Sequence, residues 1–102
     1  EAGVKLEEAM EQAQRALKAA PADLAARDAV AYVYLKQKRT AEALPTLRAL
    51  AQQSPKQALF RYHYGLALAE SGDAAQAKAE FESALAQNPP AFLAKRIRAA
   101  QR

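Results

Sequence analysis

The sequence predicts an all-α chain of about six helices laid out as antiparallel pairs, and three observations carry that expectation. First, alanine is very abundant among the 102 residues while glycine (3) and proline (5) are few, a composition that favours helices over loops. Second, Pro21, Pro55 and Pro89 are equally spaced along the chain. Third, Ala9, Ala43 and Ala77 repeat the same interval, each at the same distance ahead of its proline. A fixed period of about 20 to 50 residues is the mark of a stacked-repeat architecture.

Taken in order, the segments read as helices over about 4–20, 22–37, 40–53, 56–71, 74–87 and 90–101. Leu6, Met10, Ala13 and Leu17 make an apolar stripe on the first. Val30 to Leu35, taken alone, suits a buried strand, but its register with residues 64–69 assigns it to the second helix. Thr40 is a candidate N-cap for the third helix, and Pro45, inside it, removes one backbone bond and is expected to bend the first turns. Ser54-Pro55-Lys56-Gln57 reads as a capping box with proline at the first helical position. Asp73 reads as the cap opening the fifth helix. On the last helix Phe92, Leu93, Ile97 and Ala100 form an apolar stripe, with Lys95, Arg98 and Arg102 on another face. The domain division that follows is the second helix of a truncated repeat (1–21), complete repeats (22–55 and 56–89) and a C-terminal capping helix (90–102).

Residues 24–57 align with 58–91 without a gap: Arg27 with Arg61, Ala31 with Gly65, Ala41 with Ala75, Leu47 with Phe81 and Gln53 with Gln87. Within 58–91, Tyr64-Gly65, Leu68, Gly72-Asp73, Ala77, Phe81 and Pro89 follow one another in the order of large apolar, glycine, apolar, turn, small, aromatic and terminating proline. In these residues the chain resembles the tetratricopeptide-repeat family, and more particularly the closing repeats of larger bacterial members. Residues 24–57 are a weaker copy, through Ala31, Tyr34, Ala43, Leu47 and Pro55. Both copies place arginine, Arg27 and Arg61, where the family often has a large aromatic. Ala31, Gly65, Ala43 and Ala77 are small enough to let helices approach closely, with larger residues such as Leu47 and Phe81 filling the space between.

The resemblance implies a right-handed superhelix of helix pairs whose first helices line a concave groove, and a protein-interaction scaffold that binds a peptide or protein segment there. Helical spacing then selects Asp28, Tyr32, Leu35 and Lys36 from one repeat and Tyr62, Leu66, Ala69 and Glu70 from the next, flanked by Leu59 and His63. Tyr32 and Tyr62 admit two readings, ligand contact or packing against the neighbouring first helix. The family's carboxylate clamp for acidic C-terminal tails projects Lys and Asn from first helices. The corresponding positions here hold Asp28, Ala29, Tyr32, Leu59 and His63, so that clamp is not expected.

Other chemistry finds little support. There is no cysteine, so disulfides, thiolate metal sites and cysteine nucleophiles are excluded. His63 is the single histidine and has no Asp or Ser at an evident sequence spacing, so it reads as a buried or groove-wall residue. Glu7, Glu8 and Glu11 are accompanied by Lys5, Arg15 and Lys18, as on a solvated face. Gly3, Gly65 and Gly72 are isolated, and no phosphate loop exists. No enzyme, metal or cofactor is therefore expected.

The net charge of +4 lies entirely in residues 91–102, which argues against a nucleic-acid-binding body. The stripe Leu6, Met10, Ala13 and Leu17, facing a missing partner helix, is expected to support self-association as a homodimer. A purely structural solenoid segment of an envelope protein, in exopolysaccharide or protein-sorting systems, is the alternative to docking. Bacterial cytoplasm and periplasm or envelope both stay open, and no apolar run is long enough to span a bilayer.

Overall fold

The computed structural model describes residues 2–102. It contains six helices and, among the described residues, no strand: α1 (Ala2–Ala19), α2 (Leu24–Lys36), α3 (Thr40–Gln53), α4 (Ala58–Glu70), α5 (Ala74–Ala86) and α6 (Ala91–Ala100). Each helix packs on the next in chain order, and α2 and α4 also meet, as do α4 and α6. The even-numbered helices thus lie side by side, and α2, α4 and α6 share one face of the stack.

Local chemistry sets the helix starts. The Asp23 carboxylate accepts from the Ala25 N–H at 2.9 Å, so α2 begins two residues later than its sequence suggests. Pro21-Ala22-Asp23 instead closes a turn, in which the Asp23 N–H donates to the Ala20 carbonyl at 3.0 Å. The next boundary behaves alike and overturns the expected capping box. Gln57 N–H donates to the Ser54 carbonyl at 3.0 Å, and α4 starts after Gln57 with no side-chain cap. Thr40 is likewise not the cap of α3. It is the first helical residue, behind Arg39, whose guanidinium pairs with Glu42 at 2.7 Å. Asp73 does cap α5, accepting from Gln76 N–H at 3.1 Å. Helix α3 runs on through Pro45.

The two helix-pair turns close in the same way. Lys38 (φ 65°) and Gly72 (φ 94°), which hold equivalent places in the two repeats, both sit in the left-handed region just after their helices. Lys38 N–H donates to Leu35 and Arg39 N–H to Tyr34; Gly72 N–H donates to Ala69 and Asp73 N–H to Leu68. This is the Schellman pattern, which satisfies carbonyls that the helix end would orphan.

The repeated small residues lie at the core. Ala43 and Ala77 are buried, as is Ala31. Around them pack Leu47, Leu50, Tyr64, Leu68, Phe81 and Ile97; full burial of one such side chain contributes about 1.5–3 kcal/mol. Gly65 permits the closest approach: a Cβ there would stand 2.6 Å from a ring carbon of Phe81. In the preceding repeat the same pair of positions holds Ala31 and Leu47, and the smaller side chain leaves room for the methyl.

One expectation about the terminal helices changes. On α6, Leu93, Ala94 and Ile97 are buried, whereas Phe92 is 68 % exposed. At 3.6 residues per turn Phe92 lies about 150° round the helix from the centre of that buried stripe. On α1, Ala13 is buried and Leu6, Met10 and Leu17 are half-buried. Leu17 shares a cleft with Arg27 and Val30 of α2, and Leu6 one with Lys36. The stripe therefore borders α2 at Leu6 and Leu17, while Leu6, Met10 and Leu17 each keep part of their surface exposed.

Candidate functional site

The face shared by α2, α4 and α6 carries two adjoining clefts. One, of about 390 Å³, is lined by Tyr32, Leu35, Lys36, Lys38, Leu66, Ala69 and Glu70. The other, of about 500 Å³, is lined by Tyr32, Lys36, Tyr62, Leu66, Arg96, Ala99 and Ala100. Tyr32, Lys36 and Leu66 belong to both, so the two form one trough across all three helices.

The residues selected from sequence divide into a lining and a support. Tyr32, Leu35, Lys36, Tyr62, Leu66, Ala69 and Glu70 line the trough. Asp28 and His63 do not line it. Both are buried, and His63 Nδ1 donates to the two Asp28 carboxylate oxygens at 2.9 Å each. His63 thus has an acidic partner that sequence spacing did not reveal, on the neighbouring first helix. Leu59 is exposed and lines neither cleft.

Tyr32 stacks on His63, ring centroids 4.1 Å apart and 18° from parallel. The Lys36 ammonium lies 5.3 Å from the Tyr32 centroid, within cation–π range. Tyr62 packs against His63 and Phe81. Burial pushes the Tyr62 phenol above its ordinary range, the neighbouring Tyr32 adds to this, and Arg96 and Lys36 draw it back. The tyrosines therefore pack between helices and also present surface to the trough.

Charge on the trough is uneven. Lys38 bridges to Glu70 at 3.2 Å. Lys36 and Arg96 make no salt bridge among the described residues. Sequence reasoning left Arg96 among the basic residues 91–102 and gave it no place at the groove. The repeat register carried one step further, from Asp28 through Tyr62, arrives at Arg96, and that signal would have located it.

The arginines that replace an aromatic have a defined role. Arg27 Nε donates to the Pro21 carbonyl at 3.2 Å, and Arg61 Nε to the Pro55 carbonyl at 2.6 Å. In both repeats the guanidinium ties the first helix to the turn before it. Arg61 also pairs with Glu80 of α5 at 3.0 Å, where both side chains are largely buried.

Among the described residues no group of three or more His, Asp and Glu is placed to hold a metal ion, and no helix is long and apolar enough to cross a membrane.

Two family models, each described as a tetratricopeptide repeat, match the chain, one over residues 34–100 and the other over residues 4–58. No curated protein and no solved structure gives a significant match.

Proposed function

The chain belongs to the tetratricopeptide-repeat family, and from that premise we propose that it binds an extended polypeptide segment in the trough across α2, α4 and α6. Repeats of this family are generally protein-interaction modules. The observation that carries the proposal is the continuity of the two clefts through Tyr32, Lys36 and Leu66. Leu66, Tyr32 and the edge of Tyr62 offer apolar surface for alternate side chains of a strand-like ligand. Lys36 and Arg96, unpaired at the rim, favour a segment that also carries acidic residues.

Peptide-display selection against the chain tests this. Enriched sequences should combine apolar and acidic residues. In fluorescence polarisation the paired substitution Lys36→Glu and Arg96→Glu should weaken such a peptide by about tenfold or more, since loss of two rim charges amounts to about 1.4 kcal/mol or more. Both side chains are exposed, so helicity should be unchanged. Equal binding by the charge-reversed variant removes the trough from consideration.

A further inference from the structure

A second cleft, of about 430 Å³, lies away from the trough between α1, α2 and α3, with Leu17, Val30, Ala31, Tyr34 and Leu50 among its walls. Its origin is visible in the comparison of the two repeats. At the equivalent place in the next repeat, Tyr64 stands where Val30 does, and its hydroxyl accepts from Arg48 at 3.1 Å and Gln76 at 3.4 Å. Glu80 stands where Thr46 does, and it takes the Arg61 guanidinium at 3.0 Å. The exchange of tyrosine for valine and of glutamate for threonine hollows the first interface and leaves Arg27 without a carboxylate. Arg27 keeps its bond to the Pro21 carbonyl, makes no salt bridge among the described residues, and lines the cleft as its one charged residue.

We infer that this cleft is a binding site for a small amphiphilic monocarboxylate, whose carboxylate takes the place at Arg27 that Glu80 takes at Arg61 and whose apolar body fills the space that Tyr64 fills in the next repeat. Charge complementarity sets the head group, because no acidic side chain lines the cleft and an arginine fork matches a carboxylate bidentately. The volume falls in the range of small-molecule pockets. A compact cleft with a single charge suits one small ligand, whereas the trough on the other face suits a polypeptide.

The test uses 4-phenylbutyrate as the probe and 4-phenylbutanol as its uncharged counterpart, titrated into the 15N-labelled chain. The carboxylate should give saturable amide shifts centred on Leu17, Ala31, Ala49 and Gln53. The alcohol should bind at least about tenfold more weakly, the loss expected for a charge-assisted contact. Thr46→Glu, which supplies Arg27 with an internal carboxylate, and Val30→Tyr, which refills the apolar space, should each lower affinity by about tenfold or more, with melting curves establishing that each is folded. The inference is overturned by the absence of saturable shifts up to about 10 mM probe, by equal binding of the alcohol, or by undiminished binding in the folded variants.

Discussion

His63 and Asp28 form a buried pair across two successive first helices, with Nδ1 within 2.9 Å of both carboxylate oxygens. The His63 ring stacks on Tyr32, so the pair holds α2 to α4 and supports the trough from below. Removal of one partner leaves a polar group in the core without its bond. Asp28→Ala should cost about 3 kcal/mol, and a double-mutant cycle with His63→Ala should return a coupling of about 1–3 kcal/mol. Urea denaturation of the four proteins measures both. A coupling near zero would mean that the pair contributes no net stability.

Gly65 gives a sharper packing prediction. Alanine is the better helix former by about 1 kcal/mol, so a propensity argument alone expects Gly65→Ala to stabilise. The added methyl, however, would meet the Phe81 ring at 2.6 Å, and overpacking of this kind costs about 1–3 kcal/mol. The net effect should be a loss of up to about 2 kcal/mol, in place of the gain that propensity alone expects. Combining it with Phe81→Leu recreates the Ala31–Leu47 arrangement of the preceding repeat and should recover part of that loss. Thermal melts of the single and double variants decide it.

The constant interval between Pro21, Pro55 and Pro89 made the helix number, the repeat register and the small-residue core legible, because stacked repeats must place equivalent residues in equivalent surroundings. It also foretold a close helix approach at Gly65. The helix starts at Leu24 and Ala58 were less legible: a proline followed by a short polar run suits either the first turn of a helix or a preceding turn, and backbone bonds closed the turn here. The Asp28–His63 pair was hidden because its partners are one residue out of register, at a separation of 35. Phe92 misled through composition. An aromatic beside Leu93 suggests one stripe, but adjacent helical residues point about 100° apart.

Lys38 occupies a left-handed position (φ 65°) that its counterpart fills with Gly72. A non-glycine residue there carries a backbone penalty of about 1 kcal/mol. Its ion pair with Glu70 is exposed on both sides, and such pairs contribute little. Lys38→Gly should therefore raise stability by about 0.5–1 kcal/mol, seen as a melting temperature higher by roughly 2–6 °C. A lower melting temperature would show that the Lys38–Glu70 bridge outweighs the backbone strain.

Helix α6 sets two apolar residues of its own apart by burial. Ile97 is fully buried, next to Leu93 in the core, while Phe92 is 68 % exposed. Ile97→Ala removes methylene groups from a site with no solvent access and should cost about 2–4 kcal/mol. Phe92→Ala should fall within about 0.5 kcal/mol of the parent, as surface substitutions do. Because α6 also brings Arg96, Ala99 and Ala100 to the trough, the Ile97 change should weaken binding of a trough peptide as the helix loosens, and Phe92→Ala should leave it unaltered. Chemical denaturation and fluorescence polarisation on the same two variants check both halves. Equal stability losses at the two positions would place Phe92, against its exposure, in the core.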